Sequence, residues 1–148
     1  METVLVEKKN INEVVELLKQ DEVVAFPTET VFGLGVKFGN LSALEKIYEI
    51  KHSKAVSLMI YDSQDIEKYA YVNTNAQKLI DEFMPGMITL VLKKKSILSD
   101  DFTAGLETIG IRIPDDPFVL ELLKRVGPML VTSANISGQE TLLNDLDV

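Results

Sequence analysis

Phe26-Pro27-Thr28-Glu29-Thr30-Val31-Phe32-Gly33-Leu34-Gly35 continues the apolar run Val23-Val24-Ala25-Phe26. That run reads as a short buried strand. Pro27 stops regular pairing, because it has no N–H to donate and its ring fixes φ. Two hydroxyls and a carboxylate, from Thr28, Thr30 and Glu29, then stand at the mouth of the strand. Gly33 and Gly35 permit a sharp turn, or a close approach to a ligand where a Cβ would block it. Taken alone, the stretch is read equally well as a solvated strand-to-helix connection.

A second segment is built the same way. Met129-Leu130-Val131 is strand-like, and Thr132-Ser133-Ala134-Asn135-Ile136-Ser137-Gly138 follows with hydroxyls, an amide and a terminal glycine. Open α/β sheets bind ligands in the crevice outside the carboxyl ends of their strands. Two such loops bring hydroxyls and backbone N–H groups to one crevice, where they suit phosphate oxygens or an amino acid.

Punctuation organises the rest of the chain. Val4 to Val6 reads as a strand, and Asn10 or Asn12 caps a helix over Glu13 to Gln20, with Val14, Val15, Leu17 and Leu18 on its apolar face. Asn40 or Ser42 opens a helix that ends at Lys51. Leu58 to Tyr61 reads as a strand, and Ser63 caps a short helix around Ile66 to Tyr69. Asn73 or Asn75 opens another helix through Phe83, which Pro85-Gly86 ends. Ile88 to Leu92, Ile109 to Ile113 and Met129 to Thr132 are strand-like, with a helix over Phe118 to Arg125 between the last two. Alternating strands and helices with no linker or repeat give one α/β domain over residues 1–148. Strand order is not readable from this pattern.

Composition narrows the function. The chain has 148 residues, 46% of them apolar, enough for a real core. No apolar run approaches the roughly 20 residues of a membrane helix, and the N-terminus shows no secretory signal. With no Cys, disulfides and thiolate metal sites are out, and a cytoplasmic protein is the simplest fit. The single His52 argues against an imidazole metal centre or a His-dependent nucleophile, so no metal site is assigned. A net charge of −8 argues against a surface built for non-specific nucleic-acid binding. Lys93-Lys94-Lys95 reads better as a solvated strand end that discourages edge pairing than as a binding patch.

With both loops in view, the chain resembles the YrdC-like family, the threonylcarbamoyl-AMP synthases. Phe26 to Gly35, Ile47 to Lys51, Pro85 to Leu92 and Thr108 to Gly138 carry the resemblance, in the family's order and near its spacing. The resemblance implies a twisted mixed β-sheet with surrounding helices and an open concave substrate face. It implies an activity that joins L-threonine and bicarbonate to ATP, giving threonylcarbamoyl-AMP and pyrophosphate. Mg²⁺ is expected with the ATP, and tRNA-modifying machinery is expected to use the product. Thr28 matches the contact to threonine, and Arg112 the arginine on its carboxylate, one strand away from the Thr28 loop. A planar guanidinium suits that task because it engages a carboxylate through two parallel hydrogen bonds. Lys51, Thr108, Ser133, Asn135 and Thr141 match ATP contacts, and Glu29 and Thr30 share the Thr28 loop. No residue is matched to a proton-transfer role.

Two features depart from the family pattern. Ser53 stands where the family's Lys-x-Arg motif has arginine, and the loop is one residue short. Lys54 supplies a charge there, but an ammonium cannot reproduce a bidentate guanidinium contact. The family also continues beyond the Ser133 to Gly138 loop, whereas this sequence stops at Val148, so it reads as C-terminally short. Both departures predict ATP binding weaker than the family norm. They also keep a second reading open, a non-catalytic nucleotide or double-stranded RNA binding module that draws on Lys51, Lys54 and Lys93 to Lys95. Any RNA affinity is expected to be weak at physiological salt and secondary to small-molecule binding.

Overall fold

A computed structural model describes residues 10–27, 32–39, 41–51, 56–86 and 88–133. Among the described residues six strands form one mixed sheet, in the order β1-β2-β6-β3-β5-β4. The strands are β1 (Val24–Pro27), β2 (Phe32–Lys37), β3 (Ser57–Met59), β4 (Leu90–Lys93), β5 (Thr108–Arg112) and β6 (Met129–Ser133). Only β3 and β5 run parallel; the other neighbours are antiparallel. The expected strand at Val4 to Val6 lies outside the described residues.

The first quoted stretch is a hairpin rather than a strand-to-helix connection. Phe32–Lys37 forms β2, which pairs with β1 on one side and β6 on the other. Pro27 is tolerated as the last residue of β1 because, among the described residues, that strand is a sheet edge. Gly35 lies inside β2, where neighbouring side chains fill the space above it. A Cβ there would stand 2.7 Å from both Phe26 Cε1 and Met129 Cε. On Gly33 it would meet Val131 Cγ1 at 3.1 Å. These glycines serve packing, and neither makes the turn that the sequence suggested.

Side chains alternate across the strands, and each face takes its own helices. Leu58, Ile109, Ile111 and Leu130 join a core with α2 (Leu41–Lys51), α3 (Ile66–Tyr69) and α4 (Thr74–Phe83). Met59, Met129, Val131 and Phe26 pack on the other face against α1 (Ile11–Lys19) and α6 (Pro117–Val126). In α1 the buried residues are Val14, Val15 and Leu18, while Leu17, expected on the same face, is only partly buried.

The caps resolve the other open alternatives, but Asn40 lies outside the described residues. Asn10 is the residue before α1 but makes no side-chain cap bond. Asn73 caps α4, accepting from the Ala76 N–H at 2.8 Å. Asp62, rather than Ser63, caps the 3₁₀ turn at Ser63–Asp65 that leads into α3, accepting from the Gln64 N–H. A short helix, α5 (Asp100–Thr103), was not foreseen. Asp116 caps α6 by accepting from the N–H groups of Phe118 and Val119, at 2.9 and 3.1 Å. Asp116→Ala is therefore expected to cost about 1 kcal/mol. Thermal denaturation should show a midpoint about 2–4 °C lower.

Candidate functional site

The period of a strand puts Thr108, Gly110 and Arg112 on one face of β5, with Ile109 and Ile111 buried on the other. Register carries that face across the sheet. Arg112 pairs with Met59, Gly110 with Ser57, and Ser57 with Val131. On the β4 side, Val91 pairs with Gly110 and Lys93 with Thr108. The α1 and α6 helices cover this face only as far as Met59, Met129 and Val131. Beyond them it is open: Thr108 is exposed and Val91 is 68% exposed. Arg112 is half-buried at the border, with its Nε shielded from solvent.

Several chain segments converge on one end of this sheet. Ser133, the last residue of β6, pairs with Gly33 beside the β1–β2 turn. Ser57 opens β3, and its partner Val131 is near the end of β6. Thr108 opens β5, which runs parallel to β3. Segments 28–31, 52–55 and 134 onward therefore all join the described chain at the end that Thr108 occupies. Lys51 is the last residue of α2, a helix end that favours a cation.

Thr108 and Arg112 are thus brought onto one face, about 13 Å apart along the strand. Thr28, Asn135 and Thr141 lie outside the described residues, as do Glu29, Thr30, Ser53 and Lys54. One expectation fails: β5 is not one strand away from the Thr28 hairpin. β6 and β3 stand between β2 and β5, which is about 14 Å of sheet.

Ser57 is a hydroxyl of this face that the sequence reading did not assign. A Cβ on Gly110 would meet Ser57 Oγ at 3.0 Å and Thr89 Cγ2 at 3.1 Å, so both side chains lean over the glycine. The sequence holds no signal for this, because the contact depends on the β3–β5 register.

The lysine run is not simply solvated. β4 is the sheet edge, as the pattern suggested, and Lys93 is exposed. Lys94 Nζ instead donates to Asp100 Oδ1 and to Oγ1 of the buried Thr103, both at 2.6 Å. Lys95 donates to the Glu67 carbonyl. Lys93 and Lys95 place their ammonium groups 5.9 and 5.2 Å from the Tyr71 ring centroid.

A roomy cleft of about 370 Å³ lies elsewhere, between α2 and α5 in the layer over the opposite face. Glu45, Tyr48, Asp100 and Asp101 line it. The Tyr48 hydroxyl titrates above its ordinary range there, first because it is buried and second because of the Asp101 charge. Such a lining repels phosphates and carboxylates. Among the described residues no group of three His, Cys, Asp or Glu could hold a metal ion, and no helix is long and apolar enough to cross a membrane.

Comparison with known proteins agrees with this architecture. The Sua5–YciO–YrdC family model, described as "Telomere recombination", matches residues 16–148. A putative threonylcarbamoyl-AMP synthase of Methanocaldococcus jannaschii is 41% identical, over 90% of this chain and 67% of its own. The threonylcarbamoyl-AMP synthase of Bacillus subtilis is 42% identical, over 88% of this chain. The chain spans only 41% of that relative's length. The crystal structure of P. abyssi Sua5 complexed with L-threonine superposes with a TM-score of 0.84, at 31% identity, covering 93% of this chain and 42% of that one.

Proposed function

Because the chain belongs to the Sua5–YciO–YrdC family, we propose that it is a threonylcarbamoyl-AMP synthase working on the open β5 face. The observation that carries this reading is the likeness to synthases at 41–42% identity, joined to the placement of Thr108 and Arg112 on one face of β5. A relative of the same fold holds L-threonine, which supports the same substrate here.

In this reading the threonine amine takes up the carbon of bicarbonate, releasing water and leaving a carbamate. A carbamate oxygen then displaces pyrophosphate from the α-phosphorus of ATP. The protein's task is to hold three reactants in line and to offset charge, with little proton transfer of its own. The Arg112 guanidinium holds the threonine carboxylate, whereas the segment that carries Thr28 joins the sheet at the Thr108 end. Lys51, Thr108, Ser133, Asn135 and Thr141 hold ATP, and Lys51 offsets phosphate charge. Mg²⁺ enters with ATP as part of the substrate, a usual arrangement for an ion held mainly by phosphates. Residues 1–148 act as one domain in the cytoplasm, and a tRNA-modifying enzyme consumes the product. The RNA-binding alternative is weaker, because Lys94 and Lys95 are committed to internal acceptors.

The test is to incubate the purified chain with ATP, bicarbonate and labelled threonine. Threonylcarbamoyl-AMP and pyrophosphate should form in equal amounts. Tight, salt-sensitive binding of duplex RNA with neither product would make the module reading correct. The same assay reads the Ser53 position. Ser53→Arg should tighten ATP binding by restoring a forked phosphate contact. Unchanged or weaker ATP affinity would show that residues 51–57 are built differently from the family loop.

A further inference from the structure

Thr108 and Arg112 mark the two ends of the proposed site, and the middle of β5 between them carries no side chain. Gly110 occupies that midpoint, and Ser57 of β3 fills the gap with its hydroxyl. Oγ stands 3.0 Å from where a Cβ of residue 110 would be. Ser57 is itself only half-buried. The neighbouring groups in its row are Val91 and Val131, which offer nothing polar.

Resting on the synthase reading, we infer that Ser57 contacts the carbonate-derived group of the substrate. The nucleotide lies toward Thr108 and the amino-acid carboxylate toward Arg112. What joins them in the product is the carbamate, so the group between the two anchors is the bicarbonate carbon with its oxygens. A serine hydroxyl over the strand midpoint donates one hydrogen bond to such an anionic oxygen. Gly110 is the second half of the device. Any side chain there would crowd Ser57 Oγ and turn the hydroxyl away from the midline, while its backbone leaves room for a flat carbonate or carbamate group.

Steady-state kinetics of the full chain, varying bicarbonate, threonine and ATP in turn, tests this. Ser57→Ala should raise the KM for bicarbonate about tenfold or more, the loss expected for a hydrogen bond to a charged group. The KM values for ATP and threonine should change less than about twofold. Gly110→Ala, which keeps the hydroxyl but displaces it, should give the same selective defect. The double variant should be no worse than Ser57→Ala alone, since both changes remove one contact. Thermal midpoints of the variants separate this from a packing role.

Equal rises in all three KM values with a lowered melting point would make Ser57 structural and overturn the inference. An active wild-type chain with an unchanged bicarbonate KM in Ser57→Ala would overturn it while leaving the synthase reading intact. A wild-type chain that forms no threonylcarbamoyl-AMP would overturn the synthase reading itself, and the role of Ser57 with it.

Discussion

Arg112→Ala is expected to raise the dissociation constant for L-threonine by about tenfold or more, as the loss of a charge-assisted pair requires. Arg112 stands half-buried at the edge of the α1–α6 cover, on the same face as Thr108 and Ser57. Partial burial strengthens its hold on an anion relative to a fully solvated arginine. Arg112→Lys keeps the charge and loses the fork, so it should fall between wild type and Ala. Calorimetry with L-threonine reads the effect, and a thermal melt reports whether the fold is kept. Unchanged affinity in a folded Arg112→Ala chain would remove this residue from the site.

The largest expected loss of stability comes from Phe26→Ala. Phe26 is 2% exposed and its ring lies over Gly35, where it closes the core between β1, β6 and the α1–α6 layer. Removing it should cost about 3–5 kcal/mol, from transfer and cavity together. That is a large share of the roughly 5–15 kcal/mol by which domains are stable. Gly35→Ala alone should cost about 1–3 kcal/mol through overpacking against Phe26 and Met129. In the Phe26→Ala background that second cost should shrink, because the new methyl group then enters space the ring has left. Urea denaturation of the four proteins measures the coupling. Strictly additive costs would mean that the ring does not occupy the space above Gly35.

Helices were legible because their signals are local. Apolar spacing located α1, and Asn73 announced the start of α4. Asp116, which caps α6, stands just ahead of the helix expected over Phe118 to Arg125. The strand β2 was hidden because Phe32-Gly33-Leu34-Gly35 places glycine where strand propensity wants a branched side chain. What makes it a strand is tertiary: Phe26, Val131 and Met129 supply the side chains that the glycines lack. Strand order was illegible for the same reason, since β6 enters between β2 and β3 from the far end of the chain. Thr108 and Arg112 were named from the family resemblance, and the two-residue period of β5 puts both on one face. Their distance from the Thr28 hairpin was not legible, because it depends on which strands lie between.

A crystal structure of the full chain with L-threonine and ATP tests the central claim most directly. The threonine carboxylate is expected about 2.7–2.9 Å from the Arg112 guanidinium, with the nucleotide extending toward Thr108 over Ser57 and Gly110. Both ligands bound elsewhere, for example in the acidic cleft between α2 and α5, with the β5 face bare, would contradict it.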